Sequence, residues 1–295
     1  MTSLFCFGLG YVAQHLANKH PFWRCMGTKQ AKPLSENRFS VSPYETVIFN
    51  EFQQFDPTIL DKYNQFLISI PPIKGADLVL KHYQNYFKKR GSSIRWVGYL
   101  SATNVYGDHD GAWVDETATT NPTTINGRAR LEAEKQWLSL YEMHHCPVHI
   151  FRLSSIYGPD RSPLEKILYG KVTFLVDKAG HFFSRIHLYD ICRVLQATLE
   201  QPRPGQIFNL ADDLPAEYTT VMEYAYALLG ELPPPKLPLE SAKISPAFLE
   251  YFKESKRIKN SKIKQELGIS LLYPTYREGF QSCLDFINDK EQKNI

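Results

Sequence analysis

The sequence has no hydrophobic run of the ~18 residues that a membrane-spanning helix needs, which argues against a transmembrane protein. Its first ten residues, MTSLFCFGLG, contain neither a positively charged stretch nor a small-residue cleavage site, so they predict a strand rather than a signal peptide. The five cysteines form no C-x-x-C pair, a pattern typical of reduced thiols in a cytoplasmic protein. The formal net charge is only +3 and the basic residues are scattered, which argues against a nucleic-acid partner.

What the chain does contain is the composition of a globular protein, with 43% hydrophobic and 22% charged residues among 295. Up to about residue 160, short apolar runs alternate with segments of helical periodicity. This alternation is typical of an α/β fold of the Rossmann type, a doubly wound parallel sheet. We therefore expect a Rossmann domain over 1–160 and a smaller, interleaved C-terminal α/β domain over 161–295, from which about 188–210 returns to the sheet.

The predicted elements follow from these runs and from the glycines and prolines that interrupt them. Strands are expected at 3–7, 22–26, 46–49, 65–70, 94–101, 148–153, 172–176 and 206–210. Helices are expected at 11–20, 76–90, 127–141, 163–170, 188–200, 217–229, 246–253 and 275–288. Gly27 is expected to end the second strand, Gly91 to cap a helix, and 29–45 to form a loop.

The loop between the first strand and the first helix carries the pattern Gly8-x-Gly10-x-x-Ala13. Gly8 permits a tight turn, Gly10 lets the backbone approach a pyrophosphate, and Ala13 lets the helix pack closely on the strand. The N-terminus of the helix then offers N–H groups and a positive dipole end to an anion. The pattern predicts a dinucleotide site, with a tight turn that binds nothing as the alternative. Its expected cofactor-binding residues are Gly8, Leu9, Gly10, Tyr11 and Val12.

The end of the second strand predicts which dinucleotide is bound. A site for NAD usually has an acidic residue there, which binds the ribose 2′-hydroxyl. The sequence at this point is MGTKQ and contains no acid. Thr28 and Lys29 could bind a 2′-phosphate, which favours NADP(H) over NAD(H), unless Lys29 is an ordinary surface charge. Ser69, Ile70 and Pro71 end the fourth strand and are expected to flank the nicotinamide ribose or the pyrophosphate.

Segments along most of the chain carry a family resemblance. In chain order they are GLGYVA (8–13), SIPP (69–72), LSATNVYGD (100–108), WVDET (113–117), NPTTINGRARLEAE (121–134), FRLSSIYGPDRSPLEK (151–166), SRIHLYDI (184–191), FNLADDLPA (208–216), KNSKIKQELG (259–268) and YPTYREG (273–279). With them the chain resembles the extended short-chain dehydrogenase/reductases of the NAD-dependent epimerase/dehydratase family, and most closely an atypical YeeZ-like branch. The resemblance implies NAD(P) binding and an oxidoreductase, epimerase or dehydratase reaction on a small sugar-like or carbonyl substrate.

Three catalytic positions of that family hold other residues in this chain. The family uses a Tyr as acid or base, a Lys four residues later, and a Ser or Thr that orients the substrate. Here these positions are Asn126, Arg130 and Ala102, the last flanked by Ser101 and Thr103. An amide does not exchange a proton near pH 7. Arg130 keeps the positive charge of the lysine with a different geometry.

Two hypotheses follow from these replacements. In the first, the chain is an NAD(P)-dependent enzyme with displaced catalytic groups: Tyr106 is the substitute acid, Thr103 orients the substrate, and His187 is a further proton carrier. In the second, it is a non-catalytic dinucleotide-binding module, a sensor or scaffold. The candidate substrate-binding residues are Tyr106, Ser155, Arg185 and His187. For Arg185 and His187 a purely structural role is the alternative.

Beyond the substrate and cofactor, few partners are expected. We expect no metal, nucleic-acid or membrane partner. The run HHC at 144–146 is no metal site, because adjacent helix residues point in different directions and cannot easily converge on one ion. In the family, the helix predicted at 127–141 often forms a homodimer interface. Trp137 and Tyr141 could anchor such an interface, or could belong to the core of the subunit.

Overall fold

The computed structural model describes residues 2–30, 43–240 and 244–292, so the middle of the loop predicted at 29–45 lies outside the described residues. The strands in these residues are β1 (Ser3–Phe7), β2 (Arg24–Lys29), β3 (Glu45–Ile48), β4 (Gln65–Ile68), β5 (Trp96–Ala102), β6 (Trp113–Val114), β7 (Val148–Leu153), β8 (Ser155–Tyr157), β9 (Leu175–Asp177), β10 (Phe182–Phe183), β11 (Arg185–His187), β12 (Ile207–Leu210), β13 (Ala216–Glu217), β14 (Lys236–Pro238) and β15 (Arg257–Ile258). The helices are α1 (Tyr11–Asn18), α2 (Leu78–Arg90), α3 (Ile125–His144), α4 (Pro163–Leu168), α5 (Leu188–Glu200), α6 (Tyr218–Leu229), α7 (Pro246–Leu249), α8 (Ser261–Leu267) and α9 (Tyr276–Gln292).

The chain divides into two compact units, each built from three stretches of sequence. Unit 1 holds Met1–Val105, Ile125–Arg152 and Cys192–Phe208. Unit 2 holds Tyr106–Thr124, Leu153–Ile191 and Asn209–Ile295. The stretch Tyr106–Thr124, which lies inside the domain expected over 1–160, therefore groups with unit 2.

A seven-stranded parallel sheet with the order β12-β7-β5-β4-β1-β2-β3 forms the centre of unit 1, which confirms the predicted Rossmann-type α/β fold. The strand order reverses at β1, whose neighbours are β4 on one side and β2 on the other. In open α/β sheets, ligands bind outside the carboxyl ends of the strands at such a switch point. Here those ends are Phe7 of β1 and Ile68 of β4, so the glycine loop follows the switch-point strand directly.

Helix α2 shows why the apolar periodicity predicted the elements of unit 1 well. The Asp77 carboxylate caps its first turn by accepting a hydrogen bond from the Leu80 N–H at 2.9 Å. Tyr83 and Phe87 on its inner face are fully buried against the phenylalanines of β1. Gly91 ends the helix with φ of 34°, which confirms the predicted glycine cap.

Several boundaries in unit 1 differ from the prediction by one to three residues, and two of these differences bear on the site. Strand β2 runs through Gly27 to Lys29 instead of ending at Gly27. A side-chain carbon at Gly27 would lie 2.8 Å from the Cys6 carbonyl oxygen and from Leu9, so this glycine marks a close approach inside a strand. Helix α3 begins at Ile125 rather than at 127, which places Asn126 in its first turn.

Unit 2 consists of small sheets and helices around its own apolar core. Strand pairs β8–β11, β9–β14 and β6–β15 are parallel, and the pair β10–β13 is antiparallel. Helices α4, α6 and α9 pack around Tyr157, Leu164 and Phe280. These strands are only two or three residues long, too short for an alternating pattern. For this reason the sequence predicted only β9 among them, as part of the strand expected at 172–176. Helix α8 was not predicted either.

Candidate functional site

Thr28 forms two hydrogen bonds with the glycine loop. Gly8 adopts φ of 90°, a conformation that favours glycine, and its N–H donates to the Thr28 hydroxyl oxygen at 2.8 Å. The N–H of Leu9 donates to the Thr28 carbonyl oxygen at 2.9 Å. The Thr28 residue is only 1% exposed. The expectation that Thr28 binds a 2′-phosphate is therefore wrong in this structure: the hydroxyl holds the loop in place and is not accessible to a ligand.

Gly10 leaves open space at the N-terminus of α1. It caps the helix without any side-chain acceptor, and a carbon built at its Cβ position would meet no atom within 4 Å. The N–H groups of Leu9 and Gly10 are already bonded within unit 1, to Thr28 and to Gly8. Donors for an anion must therefore come from the first turn of the helix, which includes the predicted residues Tyr11 and Val12, because first-turn N–H groups lack partners inside a helix.

Lys29 and Gln30 end β2 beside this loop. Lys29 is half-buried and Gln30 is exposed, and no carboxylate lies in the stretch 28–30. The Asn50 side chain donates to the Gln30 carbonyl oxygen at 2.7 Å, which ties the turn after β3 to the end of β2. The position that usually carries an acid in an NAD site thus presents a cation followed by an amide.

The end of β4 completes this part of the sheet edge. The Ser69 N–H donates to the Phe7 carbonyl oxygen at 2.8 Å and extends the pairing of β4 with β1. The Ile70 side chain packs under the loop, since a Cβ on Gly8 would lie 3.0 Å from its Cγ1. Pro71 is exposed. The structure thus brings the predicted cofactor residues of three neighbouring strands together.

Ser101 belongs to a buried polar cluster. Its hydroxyl donates to Glu134 Oε1 at 2.5 Å, and the residue is 2% exposed. The guanidinium of Arg152 holds the same carboxylate, with Nη2 at 2.8 Å from Oε2. The catalytic role of Ser101 stays a prediction, and its hydroxyl is bonded to Glu134 inside the protein in this structure. The sequence analysis missed Glu134 and Arg152, although an arginine in the apolar strand VHIFRL signals a buried partner.

Asn126 and Arg130 keep the spacing of the family's Tyr and Lys. They lie four residues apart in α3 and therefore on the same face of the helix. Asn126 is exposed, and Arg130 donates from Nη1 to the Leu100 carbonyl oxygen at 3.0 Å. Arg130 thus reaches the carboxyl end of β5, just before the half-buried Thr103. The geometry of the family's pair is retained, but the group that exchanges a proton is missing.

Tyr106 is buried inside unit 2. It is 0% exposed, and its hydroxyl donates to Asn209 Oδ1 at 2.7 Å. The next residue, Gly107, has φ of 78°, and a Cβ there would lie 1.9 Å from the Asn121 carbonyl oxygen. The roles expected of Tyr106 in catalysis and substrate binding stay predictions, and its hydroxyl is bonded to Asn209 in this structure. Its partner lies 103 residues further along the chain, beyond the reach of any local pattern.

His187 packs among aromatic rings in unit 2. The residue is 0% exposed, and its Nδ1 accepts a hydrogen bond from the Tyr189 N–H at 3.1 Å. The rings of Tyr273 and Tyr157 lie 4.0 and 5.2 Å from its own. This environment supports the structural alternative, and the expected proton-carrier and substrate roles stay predictions.

Arg185 is also buried, and only Ser155 of the expected substrate residues is exposed. The Arg185 guanidinium donates to the Phe183 carbonyl oxygen at 2.9 Å, and burial lowers its pKa while the nearby Asp212 opposes that shift. Burial raises the pKa of Asp212 to about 8, with Arg185 acting in the opposite direction. Ser155 lies opposite Arg185 in the pairing of β8 with β11. Its role in substrate binding stays a prediction.

The loop that contains Gly107 is held by a second buried cluster in unit 2. The ammonium of Lys256 donates to the Gly107 carbonyl oxygen at 2.7 Å and lies 3.1 Å from Glu254 Oε2. Glu254 also accepts a hydrogen bond from the Thr123 hydroxyl at 2.7 Å. Burial lowers the pKa of Lys256, and Glu254 opposes that shift. Lys256 is therefore engaged with the backbone and Glu254.

The remaining expectations concern metals, membranes and dimers. In residues 2–30, 43–240 and 244–292, no group of three His, Cys, Asp or Glu side chains could hold a metal ion. Within the same residues, no helix combines the length and apolarity needed to cross a bilayer. Trp137 is buried 5.1 Å from the Phe87 ring and donates to Asp77, so it belongs to the core of unit 1. Tyr141 is half-buried against the same core, and dimerisation through α3 stays a prediction.

A glycine loop at the switch point of a parallel sheet, followed by an uncapped helix, defines an α/β protein of the Rossmann type. No protein-family model matches the chain. It is 33% identical over 180 residues to protein YeeZ of Escherichia coli (strain K12), a match that spans 60% of this chain but only 58% of YeeZ.

Solved structures match over nearly the whole chain. A functionally unknown conserved protein from Silicibacter pomeroyi DSS has 39% identity and a TM-score of 0.88, covering 97% of this chain and 99% of its own. The dTDP-glucose 4,6-dehydratase of Bacillus anthracis str. Ames, in complex with NAD, has 16% identity and a TM-score of 0.77, covering 99% and 98%. The chain is thus similar to YeeZ in sequence over the matched residues, and it shares the fold of the epimerase/dehydratase structures, as the resemblance implied.

Proposed function

We propose that unit 1 binds a nicotinamide dinucleotide, with NADP(H) preferred over NAD(H). The observation that carries this proposal is the loop at the switch point: Thr28 holds Gly8 at positive φ, and Gly10 leaves open space before the first turn of α1. A side chain at position 10 would occupy this space. Because the residue is glycine, the space is left for a phosphate group of the ligand. The dehydratase of similar fold was solved in complex with NAD, which supports the same class of ligand here.

The preference for NADP(H) rests on charge at the end of β2. A carboxylate there binds a ribose 2′-hydroxyl and repels a 2′-phosphate. Lys29 and Gln30 instead offer a cation and a neutral amide, and Asn50 holds the Gln30 backbone in place. With Thr28 engaged beneath the loop, Lys29 is the proposed partner of the 2′-phosphate. The first turn of α1 would hold the pyrophosphate, and Ser69 and Ile70 would flank the ligand from β4.

A binding measurement on the purified chain tests this proposal. A ligand at 100 times its dissociation constant should stabilise the fold by about 2.7 kcal/mol, so we expect thermal unfolding to shift upward with NADPH and less with NADH. Lys29→Gln should reduce the NADPH shift to that of NADH. Lys89→Gln is the matched control, because Lys89 is an exposed lysine near the far end of α2. No shift with either dinucleotide would rule the proposal out.

The bound cofactor would supply or accept a hydride, and the chain's part is then to position the substrate and handle a proton. The family's proton donor is absent, and Ser101, Tyr106 and His187 are all held inside the protein. We therefore propose dinucleotide binding as the primary function, and we propose no proton transfer through the family's Tyr position. Asn126 there can only donate or accept hydrogen bonds.

A second candidate function is a reductase, epimerase or dehydratase reaction on a small carbonyl or sugar-like substrate. The observation that favours it is the placement of Arg130, whose guanidinium reaches the carboxyl end of β5 beside Thr103. There, Thr103 would orient a substrate oxygen, Arg130 would stabilise its developing negative charge, and water would supply the proton.

Turnover separates the two candidates. Two assays are needed: NADPH consumption with small aldehydes and ketones reports a reduction, whereas product analysis of nucleotide sugars with the oxidised cofactor reports an epimerisation or dehydration, which consumes no net cofactor. Either activity should be lost in Thr103→Ala with the NADPH affinity unchanged. Thr119→Ala, which removes an exposed threonine from unit 2, should leave turnover as it is. Binding without turnover of any of these substrates would favour the non-catalytic module.

A further inference from the structure

Cys6 and Cys25 lie next to each other on the two strands beneath the glycine loop. Leu4 of β1 is paired with Cys25 of β2, and Cys6 with Gly27, so the two cysteines are diagonal neighbours on one face of the sheet. Each thiol shifts the pKa of the other, that of Cys6 upward and that of Cys25 downward. Cys6 is fully buried and Cys25 is half-buried, and neither is in a disulfide.

We propose that Cys6 and Cys25 form a thiol pair that hydroperoxides oxidise to a disulfide, and that this disulfide weakens dinucleotide binding at the loop above. The oxidation of the thiols stands on its own. The effect on binding rests on the proposed function.

The environment of the two thiols assigns their roles. The hydrogen bond from Cys6 lowers the pKa of Cys25, which favours the nucleophilic thiolate on the more accessible of the two residues. The same contact, together with burial, raises the pKa of Cys6. Burial alone raises the pKa of Cys146 to about 12 and is the main cause of a similar rise at Cys283, so those thiols should react slowly.

The oxidation balances with one hydroperoxide as the two-electron oxidant. The Cys25 thiolate attacks the peroxide: an S–O bond forms, the O–O bond breaks, and the departing oxygen takes up a proton as water or an alcohol. The Cys6 sulfur then attacks the Cys25 sulfur. The S–S bond forms, the S–O bond breaks, and the oxygen leaves as water with the Cys6 proton.

Closing this bond should move β2 against β1. A disulfide holds its two sulfur atoms about 2.05 Å apart and accepts only a narrow geometry, so its formation shortens a non-bonded contact between the two strands. Gly27 already touches the Cys6 carbonyl and Leu9, and the next residue, Thr28, holds the Gly8 N–H. Strain from the disulfide would therefore reach the loop through residues that are in direct contact.

The test treats the full chain with hydrogen peroxide, alkylates the remaining thiols and maps the tryptic peptides by mass spectrometry. Lys19 and Arg24 separate Cys6 from Cys25, so a disulfide joins two different peptides. We expect that joined species, with Cys146, Cys192 and Cys283 still alkylated as internal controls. The oxidised chain should bind NADPH about tenfold more weakly, within the usual range of coupling between sites, and a thiol reductant should restore binding.

Two variants make the result specific. Cys25→Ser should bind NADPH as the unmodified chain does and should no longer respond to peroxide. Cys6→Ser should accumulate a sulfenic acid on Cys25, detectable with a dimedone probe, because the resolving thiol is gone.

The outcomes separate the two proposals. Uniform oxidation of all five cysteines, or none at this pair, overturns the thiol proposal whether or not NADPH binds. A disulfide that leaves NADPH affinity unchanged overturns the coupling. A reduced chain that does not bind NADPH contradicts the proposed function, while the peptide map still decides on the thiols.

Discussion

The Thr28 hydroxyl accepts a hydrogen bond from the Gly8 N–H at 2.8 Å, across the carboxyl ends of β2 and β1. This contact joins the residue predicted to select the cofactor with the residue predicted to turn the chain. It explains how a glycine at φ of 90° is held in one position before any ligand arrives. A loop that is already ordered loses less entropy on binding.

Removing this hydroxyl should destabilise unit 1. Thr28→Val keeps the shape of the side chain but leaves the Gly8 N–H without its acceptor, at a cost of about 1–3 kcal/mol. Chemical denaturation followed by circular dichroism measures this loss. Thr28→Ser keeps the hydroxyl and serves as the control, so equal unfolding free energies for the two variants would show that the contact contributes nothing.

Gly10 and Gly8 should respond differently to a side chain. At Gly10 the backbone angles suit any residue and the space is open, so Gly10→Ser should retain stability and give α1 the side-chain cap it lacks. The serine should nevertheless weaken NADPH binding, because it occupies the ligand's space. Gly8→Ala should cost about 1–3 kcal/mol of folding free energy through its positive φ. Thermal unfolding with and without NADPH distinguishes these effects, and full NADPH affinity in Gly10→Ser would contradict the assignment of the anion site.

His149 should make the protein less stable in acid. Burial lowers its pKa to about 4, against hydrogen bonds to the Val97 and Pro147 backbone that raise it. Protonation would also break the hydrogen bond that Nε2 accepts from the Arg203 N–H at 2.7 Å. Because the unfolded value is near 6.5, stability is complete above that pH and is lost as pH falls toward 4, by about 3 kcal/mol in total. Urea unfolding between pH 7 and pH 4 measures the slope. His149→Gln should flatten it, whereas His145→Gln, at an exposed histidine, should not.

Asp212 should make the stability of the protein depend on pH in the opposite direction. Burial raises its pKa to about 8, so it is neutral in the folded protein at pH 7 but ionised in the unfolded chain. Its contribution is complete below pH 4 and is lost as pH rises toward 8, at about 1.4 kcal/mol for each pKa unit. Asp212→Asn should therefore be more stable than the unmodified chain at pH 8, with the difference shrinking at pH 4. Asp177→Asn, at an exposed site, is the control, and a difference independent of pH would contradict this account.

Glu134 should be the most sensitive position in α3. Glu134→Gln leaves the Arg152 guanidinium buried without a carboxylate, and breaking such a pair costs about 3–5 kcal/mol. Glu132→Gln changes an exposed residue of the same helix and should alter stability by less than about 0.5 kcal/mol. Similar unfolding midpoints for the two variants would show that the buried pair is dispensable.

The sequence predicted the fold and the glycine loop because both depend on local patterns. Buried parallel strands are short apolar runs, and the turn at Gly8 and Gly10 needs no distant partner to be recognised. Strand β7 and helix α5 were predicted at their observed bounds for the same reason. The predicted end of β2 at Gly27 was wrong. A glycine inside a strand and a glycine that ends a strand look alike in the sequence, and they differ only in which atoms of other residues lie close to them.

The contacts of the catalytic candidates could not be predicted, because their partners lie far away in the chain. Tyr106 is bonded to Asn209 and Ser101 to Glu134, and nothing in the neighbouring sequence reveals either contact. A tyrosine that donates to a buried amide has the same local sequence as one that faces a substrate. Sequence spacing did predict relative position where both residues lie on one helix, as Asn126 and Arg130 do on α3.

The order of segments in unit 1 has a consequence for synthesis of the chain. Strand β12 (Ile207–Leu210) pairs with β7 at the edge of the sheet, and it is the last strand of that sheet to leave the ribosome. Until then, β7 presents an unpaired edge, which can associate with other chains. A nascent chain stalled before residue 207 should therefore recruit chaperones or aggregate more readily than one released a few tens of residues later.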